Sequence, residues 1–389
     1  MPRLLIVIIV NKGCAADQSA PEMRAMGELG TYAIIGCGMM GREHMKNCAL
    51  VDGVELVAIA DPDAGSRNAA LALASELGLS LEAHDDTDAM LERHKPDAVI
   101  IASPNFTHFD VMQQVLPHGC AVLLEKPMCT TLEDAQALAH QSEHHPAPIW
   151  VGLEYRFMPP VSRFIKRVHS GEAGDIKMLA IREHRFPFLE KVGDWNRFNR
   201  NSGGTMVEKC CHFFDLMRHI LRDEPVRVFA SGGQDVNHLD ESYDGETPDI
   251  LDNALVVVDF AGGARAHLDL CMFAEGSAQQ EDIYALGPVG KLEVALPRAS
   301  VIWSPRDRSG PQEEPVATPP EALAAGDHWG ATYFQLHAFH DCLKSGKQPL
   351  ITAEDGLRSV EMGLAAQESI ATGQAVHLDF QRAPAGEPA

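Results

Sequence analysis

The chain lacks any apolar run approaching the roughly 18 residues of a membrane-spanning helix, and its nine cysteines include no Cys-x-x-Cys pair. The first absence argues against a membrane partner. The second, with the odd count, argues against a disulfide frame and for reduced thiols in a cytoplasmic setting. Basic residues are scarce: 32 Lys and Arg face 55 Asp and Glu, a formal net charge of −23. Such a surface repels phosphate, which excludes nucleic acid and anionic membrane as partners. The eighteen histidines show no zinc-ligand spacing beyond one His-x-x-x-His pair, His140 and His144, so no metal is expected. No internal repeat is visible.

What is present is enough apolar material for a large core. At 389 residues and 45% hydrophobic content the chain exceeds one typical domain. Residues 1–26 read as a disordered extension or as a misplaced start, with Met26 the true beginning. The competing reading, a short export signal, rests on Leu4–Val10, which is minimal for such a core and is interrupted by Asn11-Lys12. The plan that follows is a dinucleotide-binding domain over 27–152, a substrate-binding and oligomerisation domain over 153–380, and a tail over 381–389.

The densest signal lies between Thr31 and Asp61. An apolar run, Tyr32-Ala33-Ile34-Ile35, meets Gly36-Cys37-Gly38-Met39-Met40-Gly41 and a helical stretch; a second run, Val54–Ala60, ends in Asp61. Gly36 permits the tight turn, Gly38 lets backbone approach a pyrophosphate, and Gly41 lets helix and strand pack closely. The helix N-terminus behind Met39 and Met40 faces phosphate charge. Asp61 suits the ribose hydroxyls of NAD and opposes the 2′-phosphate of NADP, although Arg67 leaves NADP open. Strands and helices keep alternating to Ile149–Gly152, including a short strand at Ser80–His84 and a helix capped by Thr130 or Thr131. The fold class is therefore α/β, a doubly wound parallel Rossmann sheet.

Past residue 155 the pattern changes. Runs at Val226–Ala230, Ala254–Phe260, Ala264–Phe273, Asp282–Gly287, Lys291–Leu296 and Val301–Trp303 predict a mostly antiparallel open sheet in an α+β domain. One helix is expected from Ser202-Gly203-Gly204-Thr205 to about Leu221. Ser304–Asp327, rich in Pro, Gly and acid, reads as a surface loop. Two closing helices, Thr332–Ser345 and Glu354–Thr372, end at Gly373, a C-cap.

Lys126 stands at a strand's carboxyl end, where its charge would stabilise a developing alkoxide. Glu208 and His212 are four apart on one expected helix, so they share a face, with Asp215 on the same side. A histidine with a carboxylate partner suits removal of an alcohol proton. The blander reading is a surface pair worth about 0.2–0.5 kcal/mol. Flanking Cys210-Cys211 and Phe213-Phe214 argue instead for burial, where an idle carboxylate is costly. Cys210-Cys211 itself reads as small apolar filling.

The chain resembles the Gfo/Idh/MocA family of NAD(P)-dependent oxidoreductases, over nearly all of Tyr32 to Leu378. The resemblance rests on Gly36–Gly41, Ser103-Pro104-Asn105-Phe106-Thr107-His108, Glu125-Lys126-Pro127, Ser202-Gly203-Gly204 before Glu208, His212 and Asp215, and Ile351-Thr352-Ala353-Glu354-Asp355-Gly356. It implies a catalytic lysine at Lys126 and a histidine base at His212. Similar proteins usually carry aspartate where Glu208 stands, and a glycine-containing stretch where Lys209-Cys210-Cys211 follows. It implies that Ser103, Asn105, His108 and Glu125 line the nicotinamide-ribose side of the cofactor, and that Arg156 lies near the cleft. Trp195, Asn196, Arg197, Arg200 and Lys209 are candidate substrate contacts. The implied reaction is hydride exchange between a cyclic polyol or sugar and NAD, in a homodimer or homotetramer formed through the second sheet. An NAD-dependent glycosidase-type reaction and a non-catalytic nucleotide-sensing regulator are the alternatives.

Overall fold

Five largely apolar strands and a short polar one, alternating with helices, build a parallel sheet in the first half of the chain. The computed structural model describes residues 30–379; the expected extension 1–26 and tail 381–389 lie outside them. The strands are β1 (Gly30–Ile35), β2 (Val54–Ala60), β3 (Glu82–His84), β4 (Ala98–Ile101), β5 (Ala121–Glu125) and β6 (Ile149–Gly152). Between them run α1 (Met39–Cys48), α2 (Ala64–Glu76), α3 (Thr87–His94), α4 (His108–Val115) and α5 (Leu132–Ser142). The order is β3-β2-β1-β4-β5-β6, every pair parallel. β4 and β5 are buried throughout, which is why their sequences are continuous apolar runs. Strand order reverses between β1 and β4, and a doubly wound sheet takes its ligand at that point. Side-chain caps set the helix starts: Asp63 accepts from Ser66 N (2.6 Å), Asp86 from Ala89 N (2.7 Å) and Thr131 from Asp134 N (3.2 Å).

α6 (Pro159–His169) leads into a nine-stranded sheet of β7 (Met178–His184), β8 (Pro225–Gly233), β9 (Asn253–Phe260), β10 (Arg265–Cys271), β11 (Glu281–Leu286), β12 (Gly290–Leu296), β13 (Ser300–Pro305), β14 (Gln312–Pro315) and β15 (Val376–His377). Its order is β14-β13-β12-β11-β7-β10-β9-β8-β15, antiparallel except where β7 pairs with β10. In β9, Ala254, Val256, Val258 and Phe260 enter the core while Leu255 and Val257 face outward. The remaining helices are α7 (Asn199–Ser202), α8 (Thr205–Glu208), α9 (Cys211–Leu221), α10 (Pro320–Ala325), α11 (Ala331–Ser345) and α12 (Ala353–Thr372). α12 packs on α5 beside the first sheet and on α9 and β8 of the second, tying the halves together.

Two expectations are corrected. Ser304–Asp327 is not a loop throughout: it supplies β14 on the sheet's outer edge and α10. The polar, Pro-rich composition hid both, because an edge strand needs only backbone pairing and Pro320 is tolerated in a first helical turn. The single helix expected up to Leu221 is two, α8 and α9, with α7 ending where it was to begin. Gly203 (φ 82°) and Gly204 (φ 81°, ψ 165°) separate α7 from α8, and Cys210 N bonds Thr205 O, five residues back (3.3 Å), where α8 gives way to α9. Gly204 occupies backbone space that side chains avoid, and an added methyl would also strike Asn199 and Gln367. Gly204→Ala is expected to cost about 1–3 kcal/mol in a denaturant titration; an unchanged midpoint would show that the turn relaxes freely.

Candidate active site

The glycine turn is shaped for a pyrophosphate. A methyl on Gly36 (φ 93°) would meet Ala102 and Ser103 backbone at 2.5–2.6 Å, and one on Gly41 would collide with the Gly36 carbonyl. Gly38 has nothing within 4 Å, so its backbone opens on the cleft. Glycine is thus required for packing at two positions and for access at the third. Asp61, at the end of β2, accepts from Cys37 N (2.7 Å) and Asp63 N (2.8 Å), which fixes its carboxylate beside the turn. Arg67 is tied to the Asp61 carbonyl (2.6 Å). The residues present fit a dinucleotide: Gly36, Gly38, Met39, Met40, Asp61, Ser103, Asn105, His108, Glu125 and Lys126 line one cleft of about 1050 Å³. Gly41 lies behind the lining, where it lets α1 pack against the turn.

Lys126 projects from the end of β5 towards α8. Its Nζ donates to the Glu208 carbonyl (3.2 Å) and lies 4.0 Å from the Glu208 carboxylate. Asn105 Nδ2 donates to that same carboxylate. The Glu208 carbonyl is available because the helix breaks after it: the His212 N–H does not take it, as an unbroken helix would require. Burial opposes the charge on Lys126, but Glu208 together with Cys211, Glu125 and Glu154 outweighs it, and the ammonium pKa is raised. The expected Glu208–His212 dyad is not formed. Changing direction at Lys209-Cys210 turns Glu208 to Lys126 and Asn105, and leaves His212 stacked on Tyr155 with centroids 3.9 Å apart and planes 9° apart.

His212 lines the same cleft. Its Nδ1 is sealed without a hydrogen-bond partner, which leaves Nε2 as the reachable nitrogen. Burial, then the charges of Lys126 and Lys209, hold the imidazole pKa well below its usual 6.5. Lys209 also lines the cleft, but its ammonium is held from behind by Glu183 (2.9 Å) and the Tyr155 hydroxyl (2.5 Å). Glu183 and Glu281 face each other across β7 and β11, and burial followed by that like charge raises the Glu281 pKa.

Other candidates divide. Arg156 is not in the cleft: it forms a bidentate pair with buried Asp215 and reaches Asp355 (3.3 Å) and the Leu350 carbonyl (3.0 Å). Its neighbour Tyr155 faces the cleft instead, because successive residues of a tight turn point in different directions. Asp215 is accordingly a structural anion. Trp195 lines the cleft, edge-on to Phe106 at 6.2 Å. Asn196 and Arg197 are buried and bonded to Leu189 and Glu241, while Arg200 pairs with Glu246. His108 braces the site: its ring nitrogens lie 2.8 and 3.0 Å from the Pro127 and Ser103 carbonyls. Glu125 accepts from buried His44 (2.7 Å). Sequence reasoning missed Tyr155, Glu154 paired with His328 (3.0 Å), and the Glu183–Lys209–Glu281 cluster. Acids inside strands were the available signal for the last. Cys210 and Cys211 are buried with raised pKa values, Cys211 to about 12, as inert apolar filling requires.

Comparison with known proteins agrees with this geometry. Residues 31–153 match a family model described as an oxidoreductase family with an NAD-binding Rossmann fold, and residues 165–378 match that family's C-terminal alpha/beta domain. The scyllo-inositol 2-dehydrogenase (NAD(+)) of Bacillus subtilis is 28% identical over 361 residues, 91% of this chain and 98% of that protein. The myo-inositol 2-dehydrogenase of Thermotoga maritima is 26% identical, covering 89% and 98%. A levoglucosan dehydrogenase solved with NADH and levoglucosan superposes with a TM-score of 0.78 at 19% identity, over 89% of this chain and 98% of that one. At that identity it speaks for the fold alone.

Arg156→Met is expected to lose about 3–5 kcal/mol of stability by stranding Asp215, while substrate KM for the folded fraction stays unchanged. A raised KM without destabilisation would return Arg156 to the cleft. With His212 as the proton acceptor, its depressed pKa would put the acid limb of kcat/KM below pH 6.5. Lys209→Met removes one of the charges depressing it, so that limb should move to higher pH; a pH profile with an unmoved limb would sever Lys209 from His212.

Proposed function

This chain belongs to the Gfo/Idh/MocA oxidoreductase family, and on that premise we propose that it oxidises a secondary alcohol of a cyclic polyol or sugar of the inositol kind. The dehydrogenase acts on CH–OH groups with NAD. The substrate class rests on the names of its relatives, inositol dehydrogenases among them, and on a cleft large enough for a dinucleotide and a small ring.

One observation carries the reading: a charged lysine from the first sheet and an uncharged imidazole from the second half line a single cleft. NAD, when bound, supplies the hydride acceptor. Lys126 binds and orients the substrate oxygen and stabilises negative charge as it develops there. Its own position is maintained by Glu208, with Asn105 holding the carboxylate. His212 Nε2 takes the hydroxyl proton, and the low ring pKa keeps that nitrogen free to accept. Stacking on Tyr155 fixes the plane of the ring. The glycine turn and Asp61 hold the dinucleotide, while Trp195, His328 and Trp329 flank the cleft and limit water.

The proposed setting is cytoplasmic, as a homodimer or homotetramer through the open face of the second sheet. Phe229, Leu255 and Val257 are 45%, 61% and 45% exposed there, with Phe229 directly opposite Val257, an apolar patch that favours a partner. Lys126 and His212 together disfavour a nucleotide-sensing regulator. Net NADH formation from a free polyol separates the dehydrogenase from a glycosidase-type reaction that returns its hydride. A screen of inositols, aldoses and anhydrosugars by nicotinamide absorbance tests the reading. Lys126→Ala and His212→Ala should each lose at least about 100-fold in kcat with NAD binding retained in a fluorescence titration. Near wild-type turnover from either variant removes its assigned role.

A further inference from the structure

At the edge of the first sheet, away from the cleft's reacting groups, Glu82, His84 and His94 bring three metal-ligating atoms within 4.8 Å of one another. Glu82 and His84 stand on the same face of β3, two residues apart, and His94 closes α3, which returns along that strand. His84 Nε2 lies 3.0 Å from His94 Nε2, and Glu82 Oε2 lies 3.7 and 3.4 Å from them. A tetrahedron with metal–ligand bonds of about 2.0–2.1 Å has edges of about 3.3–3.4 Å. The three measured separations bracket that value.

We propose that Glu82, His84 and His94 form a binding site for a borderline divalent cation of the zinc type, with water completing the coordination. This departs from the expectation of no metal, which considered only ligands at short sequence spacing; here a strand and the far end of the next helix supply them. The chemistry of the set is right, because two imidazoles and a carboxylate make an intermediate donor group that suits zinc, nickel or cobalt. Arg93 competes for the carboxylate through Nε (2.6 Å) and Nη2 (2.8 Å). Its side chain is 61% exposed and the carboxylate 50% exposed, so the guanidinium is free to move aside as a second cation arrives.

The location gives the site a consequence. β3 is the outermost strand, four positions from β5 and hence roughly 19 Å from the Lys126 strand. Between His84 and α3 lie Asp85 and Asp86, which with Thr87 at the helix start line the dinucleotide cleft. A cation would staple β3 to α3 across that turn and stiffen one wall of the cleft. The proposal does not depend on the substrate assigned above.

The alternative is a hydrogen bond between the two imidazoles, with no metal affinity. Cobalt(II) distinguishes them, because low-symmetry coordination by nitrogen gives strong visible absorption. Full-length protein stripped with chelator and titrated with cobalt(II) should develop such a band at one equivalent per chain, and zinc should abolish it. His84→Asn and His94→Asn, checked by circular dichroism, should each bind at least about 100-fold more weakly. Absence of the band in the wild type, or wild-type affinity in both variants, overturns the site. Should the variants misfold, anomalous diffraction at the zinc edge from zinc-soaked wild-type crystals decides: a peak among Glu82, His84 and His94 supports the site, and peaks only elsewhere overturn it.

Discussion

The cleft depends on one backbone carbonyl leaving its helix. Were α8 and α9 continuous, the Glu208 carbonyl would accept from the His212 N–H within the helix. The break at Lys209-Cys210 frees it for Lys126 Nζ at 3.2 Å, a residue 82 positions earlier in the chain. The Glu208 side chain adds Asn105 from the turn after β4. One residue thereby joins the ends of two strands in the first sheet to the helix that carries His212. A charge-assisted contact of this kind is stronger than a neutral hydrogen bond, and here it sets the lysine's position as well as its charge.

That arrangement separates the protonation states of the two reacting groups. Lys126 and Lys209 both depress the His212 pKa, and each has a carboxylate beside it to balance its charge. Glu208 serves Lys126, while Glu183, with Glu281 beside it, serves Lys209. The imidazole, stacked on Tyr155 and short of hydrogen-bond partners, has no comparable anion of its own. A charged lysine and an uncharged imidazole therefore coexist in one cleft, the separation that opposed environments produce.

Legibility followed the range of the interactions. β1, β4, β5 and β6 were readable to within a few residues because burial on both faces demands uninterrupted apolar runs. Gly36 and Gly41 were readable because a side chain at either would strike nearby backbone, and Gly38 because its open side must admit a ligand. The Glu208–His212 pairing was misread because helical spacing assumes an unbroken helix, and the break is stabilised by a distant lysine. Arg156 was misread for a related reason: its partners, Asp215 and Asp355, arrive from α9 and α12, and no local pattern announces them. Tyr155, one residue earlier, took the place in the cleft.

By itself the sequence determined the alternation of elements, the glycine turn with its acid, and the identities of the lysine and histidine that meet in the cleft. Those features depend on period, burial and steric demands that act over a few residues, so they are written in consecutive letters. Tertiary structure alone decided where Glu208 points, which of Tyr155 and Arg156 faces the cleft, how the Lys209 charge is balanced, and that Glu82, His84 and His94 converge. Each of those outcomes is a contest between burial and pairing among groups far apart in the chain, and only the folded geometry says which partner is near enough to win.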